Sequence, residues 1–343
     1  MSNEKEHKNF TACGDAEAEK LLSEVLENIR TELDGTGLCV VLGGSYGRGD
    51  GGVRLDRENG IFYNDLDFFV FAEKKVPGVR AMLDEIAEKY EKLLKVDVDF
   101  SPVMTVKDIR KNARRLMMQE LKRGYYPVCG TDLLAGYLKE FSAEELPFSE
   151  ACRLLVNRGM GLLFAGEKIT NKSGETDFIL RNIYKAILGA GDAMLIAGGV
   201  YRWKIADRLV LIEKSDLPDD WKEFYREAVD FKHSPHRKQK PDMLSFWHGV
   251  RAFFESAMVH CAGVKKHNDL RDGIYHRCCQ SKEKSIINYV KYCVKTRSLS
   301  VFAAGYYFIP PVAVLAGDVY FALSSGLPDK IDEKLYQHWL IFN

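Results

Sequence analysis

Apolar residues recur at helical spacing between Ala16 and Leu33 (Leu21, Leu22, Val25, Leu26, Ile29), with acids and bases between them. That predicts an amphipathic helix ending at Asp34-Gly35. The period then changes. Leu38 to Leu42 is a short unbroken apolar run, expected as a buried strand that delivers the chain to Gly43-Gly44-Ser45. Tyr46 to Asn64 is rich in glycine and charge without usable periodicity, and is expected as a loop with room for a small hairpin. Leu66 to Ala72 reads as a second strand that opens on Asp65 and Asp67. Val79 to Leu94 returns to helical spacing, and Lys95 to Ser101 reads as a third strand with Asp97 and Asp99 on one face, because side chains alternate along a strand. Val106 to Arg123 is expected to be helical and Tyr126 to Cys129 an edge strand closed by Gly130. Helix, strand, loop, strand, helix, strand describes an α/β unit with a mixed sheet.

From about Thr131 the pattern becomes helical, with a short break expected near Gly159 to Gly174. Phe178 to Glu213 has the clearest helical stripe (Ile179, Ile183, Ile187, Met194, Leu195, Ile196), although Gly189, Gly191, Gly198 and Gly199 weaken the case for one unbroken helix. Lys232 to Pro241 is basic and broken by proline, and reads as a solvated linker in preference to a phosphate-binding patch. Val301 to Ser325 is the longest apolar run, but Pro310-Pro311 interrupts it and Asp318 lies near its end. A membrane span wants about 20 uninterrupted apolar residues, so this run is expected in a buried core.

Length and charge narrow the functional classes. A chain of 343 residues is longer than one core usually serves, so two domains are expected, 1–130 and an all-α 131–343. Lys plus Arg and Asp plus Glu both number 49, which leaves no global basic field to hold a long nucleic acid. The eight cysteines are scattered without a CxxC pair, behind a polar N-terminus, which reads as a reduced, cytoplasmic setting.

The candidate chemistry lies in the first part of the chain. A Gly-Gly-Ser turn after a strand frees backbone N–H groups and lets phosphates come close, although by itself it is an ordinary turn. Asp65 and Asp67 project to one side at the mouth of a strand, and Asp97 and Asp99 alternate in the same way on the next. Converging carboxylates repel one another unless a cation neutralises them. Hard oxygen ligands suit Mg²⁺, and two such ions about 3.5–4 Å apart serve an in-line displacement. The residues alone do not separate Asp97 from Asp99.

The ordered pattern Gly44-Ser45, then Asp65-x-Asp67, then an acid in a later strand, resembles the nucleotidyltransferase superfamily that includes DNA polymerase beta and the aminoglycoside and minimal nucleotidyltransferases. The resemblance covers about Leu38 to Gly130 and implies an N-terminal nucleotidyltransferase-like α/β domain with a mixed sheet, followed by a helical domain that closes over it or binds the acceptor. It implies transfer of a nucleoside monophosphate, AMP as the expected one, from an NTP to a hydroxyl, with pyrophosphate released. Gly43, Gly44, Ser45 and Arg48 would bind the nucleotide; Asp65, Asp67 and Asp99 would be catalytic; Asp65, Asp67, Asp97 and Asp99 would hold two Mg²⁺. The implied partner is a small-molecule acceptor, with no membrane and no long nucleic acid.

One departure is the Tyr46 to Asn64 stretch, an insertion relative to the family. Its Arg48 and Arg54 read as solvated side chains or as groups reaching the triphosphate. In the helical half, Arg181, Asn182, Lys185, Asp192, Tyr201 and Lys204 are candidates for an acceptor wall. Two other readings stand beside transfer: a nucleotide-binding regulatory module without chemistry, and a HEPN-like ribonuclease suggested by the spacing of Arg271 and His276. His260, Cys261, His276, Cys278 and Cys279 lack the paired spacing of a zinc site.

Overall fold

The computed structural model describes residues 9–54, 57, 60–235, 242–280, 286–296 and 309–342. The chain forms two compact units. The first runs to Phe141 and takes in the segment that begins at Asp230; the second comprises Ser142–Val229 and the remainder of the chain.

In the first unit, α1 (Ala16–Glu32) starts at Asp15, whose carboxylate caps the helix by accepting from the Ala18 N–H at 3.0 Å. There follow β1 (Cys39–Leu42), the one-turn α2 (Gly44–Gly47), β2 (Leu66–Ala72), α3 (Val79–Leu94), β3 (Val98–Phe100) and β4 (Met104–Thr105). Then come α4 (Val106–Asn112), α5 (Leu116–Arg123), β5 (Tyr126–Cys129) and α6 (Leu133–Tyr137). The sheet order is β3-β2-β1-β5, with β4 pairing further along β2. β1 is antiparallel to β2 and β5, whereas β3 and β4 run parallel to β2, so the sheet is mixed as expected.

Both faces of the sheet are covered. Leu42, Phe68 and Val70 pack with Leu22 and Leu26 of α1 and with Leu83 and Ile86 of α3. On the other face, Val41 and Phe71 meet Ile109 of α4, Met118 and Leu121 of α5 and Leu133 and Leu134 of α6. The helix expected over Val106–Arg123 is two helices. Gln119 holds the break: its amide donates to the carbonyls of Ala113 (2.6 Å) and Lys139 (2.9 Å), and its oxygen accepts from the Phe141 N–H (2.8 Å). The same side chain carries the first unit past residue 130, by tying residues 139–141 to α5.

The second unit is helical, with no strand among its described residues. It is built on the hairpin of α7 (Phe148–Thr170) and α8 (Thr176–Ala197). Around it lie α9 (Ile205–Glu213), the first part of α10 (Asp219–His233), α11 (Met243–Ala262), α12 (Leu270–Gln280) and helices over Ile286–Thr296, Pro311–Ser324 and Glu333–Phe342. α7 passes unbroken through Gly159, so the break expected from there shrinks to the residues between α7 and α8. The stripe expected over Phe178–Glu213 splits after Ala197, where Gly199 (φ +70°) donates to the Ile196 carbonyl and Val200 to that of Leu195. The helix Pro311–Ser324 buries Val312, Leu315, Val319 and Leu323, in line with the core expectation, while residues 301–308 lie outside the described residues. Among the described residues no helix is long and apolar enough to cross a membrane.

Candidate active site

Sheet register assembles the predicted residues. Leu42 pairs with Phe68 across β1 and β2, which places Gly43 beside Asp67, and the Gly43 N–H donates to the Asp67 carbonyl at 2.8 Å. On its other side β2 pairs with β3, and Asp67 stands directly across from Asp99. Gly43, Asp67 and Asp99 therefore form one row across three strands. The next pair on the sheet, Phe68 and Phe100, stacks on the opposite, buried face with ring centroids 4.7 Å apart. That stack pins the register, because a slip of one residue would turn the phenylalanines outward and the carboxylates into the core.

The two glycines are needed for different reasons. A Cβ at Gly43 would lie 2.6 Å from both Phe69 and Leu121 side-chain atoms. Gly44 has φ +59°, and a Cβ there would sit 2.1 Å from Asp67 Oδ2. The Asp67 carboxylate is thus laid against bare backbone, the close approach that only glycine allows. Ser45 follows in the first turn of α2.

The carboxylates crowd one another. The Asp99 carboxyl is pushed above the usual range by burial and then by the charges of Asp65, Asp97 and Glu91, with Arg80 opposing. Asp97 lies just before β3 and engages β2 through its carbonyl, which accepts from the Leu66 N–H at 2.9 Å. Of the pair that sequence could not separate, Asp99 is the one across from Asp67. Among the described residues no three His, Cys, Asp or Glu side chains stand close enough to cage a metal ion by themselves. Mg²⁺ asks for less, since it takes one or two carboxylates together with substrate phosphates and water. Asp67 and Asp99, in register across β2 and β3, would meet that demand, with Asp65 next along the face.

The Tyr46–Asn64 stretch is an ordered turn system where it is described. The buried Tyr46 hydroxyl donates to the Gly52 carbonyl (2.8 Å) and accepts from the N–H groups of Tyr63 (3.1 Å) and Asn64 (3.3 Å). Val53 and Phe62 form an antiparallel bridge, the small hairpin expected there. Its arginines are not loose in solvent: Arg48 bonds Glu120 of α5 at 3.3 Å, and Arg54 donates to the Phe62 carbonyl at 3.0 Å and lies over the Tyr63 ring. The solvated-linker expectation for Lys232–Pro241 is likewise corrected at its start, since the Lys232 side chain is 16% exposed and lies 3.9 Å from Asp50; residues 236–241 are outside the described residues. Periodicity gave no sign of this, because Lys232 belongs to this unit through a contact distant in sequence.

The candidates in the helical unit separate. Asp192 and Tyr201 are spent inside a buried network on Arg208, whose guanidinium meets Asp192 at 2.9 Å and the Tyr201 hydroxyl at 2.9 Å. Tyr225 donates to the same carboxylate at 2.7 Å, so these groups hold core and do not form an acceptor wall. Arg271 and His276 are five positions apart on α12, about 140° around the helix. Arg271 lines a cavity of about 360 Å³ and bonds Asp318 at 2.8 Å, whereas His276 is exposed beside Gln280. The two therefore do not share a site. His260, Cys261, His276, Cys278 and Cys279 form no metal-binding group among the described residues.

Comparison of the chain with protein-family models, with curated proteins and with solved structures finds no match.

Proposed function

We propose that the first unit is a metal-dependent nucleotidyltransferase that moves a nucleoside monophosphate, with AMP the simplest case, from an NTP to a hydroxyl of a small acceptor. The observation that carries this reading is the row Gly43, Asp67, Asp99, with Asp67 lying against the backbone of Gly44. A row of acids at strand ends is costly in an empty fold and useful beside a phosphate-bound cation. Asp67 and Asp99, with Asp65 beside them, would hold Mg²⁺, which when bound neutralises charge on the α-phosphate. Ser45 and the backbone of the glycine turn orient the phosphates. As the acceptor oxygen bonds the α-phosphorus, the bond to the β-phosphate breaks and its electron pair leaves with pyrophosphate. The acceptor proton would pass to Asp99 and then to water.

The test is transfer from labelled ATP into a pool of hydroxylated small molecules, with pyrophosphate release as the second readout. Asp67→Asn is expected to lower both by about 100-fold or more while the far-UV spectrum is unchanged. An unchanged rate would overturn the reading. Nucleotide binding that ignores Mg²⁺ and releases no pyrophosphate would point instead to a binding module without chemistry.

A further inference from the structure

In the helical unit, four helices line a cavity of about 360 Å³, a volume in the range of small-ligand sites. Each gives it a pair of side chains about one turn apart on one face. Arg271 and Tyr275 come from α12, and Tyr292 and Thr296 from the helix Ile286–Thr296. Asp318 and Phe321 come from the helix Pro311–Ser324, and Lys334 and His338 from the helix Glu333–Phe342.

The polar groups of this cavity satisfy one another only in part. Arg271 crosses the helix Pro311–Ser324 at Gly317, where an added Cβ would lie 2.8 Å from its Cγ, and its guanidinium sits 4.3 Å from the centre of the Phe321 ring. A single hydrogen bond of 2.8 Å joins it to Asp318 Oδ1, and among the described residues no group donates to Asp318 Oδ2. His338 is 9% exposed, lies edge-on to Tyr292 with ring centroids 5.8 Å apart, and makes no hydrogen bond among the described residues. A buried polar side chain left in this way costs stability that a ligand would return. Burial and then the charge of Lys334 hold the imidazole below its ordinary value, against Asp318 and Asp332. It is therefore uncharged at neutral pH, with one ring nitrogen able to accept. Lys334 makes no ion pair among the described residues, and the Asp332 carboxylate is engaged in capping its own helix, accepting from the Leu335 N–H at 2.7 Å.

The open groups are of two kinds. Asp318 Oδ2 and His338 take hydrogen-bond donors, whereas the exposed Lys334 ammonium and the remaining N–H groups of Arg271 offer positive charge to an anion. A purely anionic ligand would meet Asp318 and Asp332, and a purely cationic one would meet Arg271 and Lys334. A molecule carrying both charges answers both sets. We propose that the cavity binds a small zwitterion of the amino-acid class, with its ammonium between Asp318 and His338, its carboxylate on Lys334 and Arg271, and its side chain against Tyr275, Tyr292 and Phe321. The aromatic rings favour the ammonium as well as the side chain. All of the lining residues belong to the helical unit, so the site stands apart from the nucleotidyltransferase reading.

The experiment follows the thermal melt of the full chain with each of the common amino acids in turn at about 10 mM, and then measures the strongest by calorimetry. At least one is expected to raise the melting midpoint by about 2–4 °C. Its amide and its N-acetyl form, each lacking one of the two charges, are expected to bind about tenfold more weakly or worse. Lys334→Met, at an exposed position, is expected to weaken the amino acid about threefold to tenfold and to leave the amide within about twofold, since the amide has no carboxylate for Lys334 to hold. His338→Phe keeps a ring and removes the acceptor, with an expected loss of about threefold to tenfold for both. The proposal is overturned if no amino acid shifts the melt, if neutral sugars alone do so, or if the amino acid, its amide and its N-acetyl form bind equally. Unchanged amino-acid binding by Lys334→Met would overturn it as well.

Discussion

Asp67 in the first unit and Asp192 in the second are both drawn in among apolar elements, and the fold treats them in opposite ways. Asp192 faces a guanidinium at 2.9 Å and a tyrosine hydroxyl at 2.7 Å, and the Arg208 guanidinium that neutralises it also donates to the Tyr201 hydroxyl and to main-chain carbonyls. Asp67 faces another carboxylate, Asp99, across a parallel strand pair, and rests on a glycine whose backbone is left-handed. The first arrangement is electrically closed. The second gathers carboxylates at neighbouring strand ends, and burial followed by the charges of Asp65, Asp97 and Glu91 raises the pKa of Asp99. Similar acids in one chain thus divide into core and candidate chemistry by what surrounds them.

The largest effect that would break this comparison is on the closed side. Asp192→Ala leaves the Arg208 guanidinium buried without its carboxylate, and is expected to lower unfolding free energy by about 3–5 kcal/mol in urea titration. A loss below about 1 kcal/mol would mean that the network is not the closed unit described. Transfer per folded molecule should be unchanged, since the network lies in the helical unit.

A middle-sized effect is expected at the glycine turn. Gly44→Ala combines a left-handed backbone with a methyl group set against Asp67, and should cost about 1–3 kcal/mol of stability. It should also depress transfer, because the displaced carboxylate is the one in register with Asp99. Thermal melts and the labelled-ATP assay separate the two outcomes, and a variant with native transfer would sever Gly44 from the site.

The smallest effect sharpens the comparison through pH. Asp99 has a carboxyl more easily protonated in the folded protein than in the unfolded chain, so its ionisation opposes folding. That penalty is absent below the unfolded-state pKa near 4 and fully present once pH passes the raised folded-state value. Asp99→Asn is therefore expected to raise the unfolding free energy at pH 7, by at most about 0.5 kcal/mol for a group so open to solvent, and to have no effect at pH 3. A stabilisation that persisted at pH 3 would exclude charge repulsion as its cause.

Much of the site was readable in the chain because strand chemistry is local. The span Leu66–Ala72 and the helix Val79–Leu94 appear where periodicity placed them, and alternation alone put Asp65 with Asp67 and Asp97 with Asp99. Errors arose where a distant contact overrode a local pattern. Gln119 splits Val106–Arg123 by bonding residues on both sides of it, and Gly199 ends a helix that the apolar stripe would have continued. Arg48 and Arg54 could be read as solvated or as reaching the triphosphate, and the pattern gave no sign of their contacts with Glu120 and Tyr63.

The sequence by itself determined the kinds of element, the pairing of acids along each strand and the need for a glycine at the end of β1. Each of these follows from side-chain period and backbone sterics within a few residues. Only the tertiary structure decided that Asp99 and not Asp97 stands across from Asp67, that Asp192 and Tyr201 belong to the core, and that Lys232 lies beside Asp50. Register, burial and long-range ion pairs are set by how strands and helices meet, and a linear pattern does not carry that information.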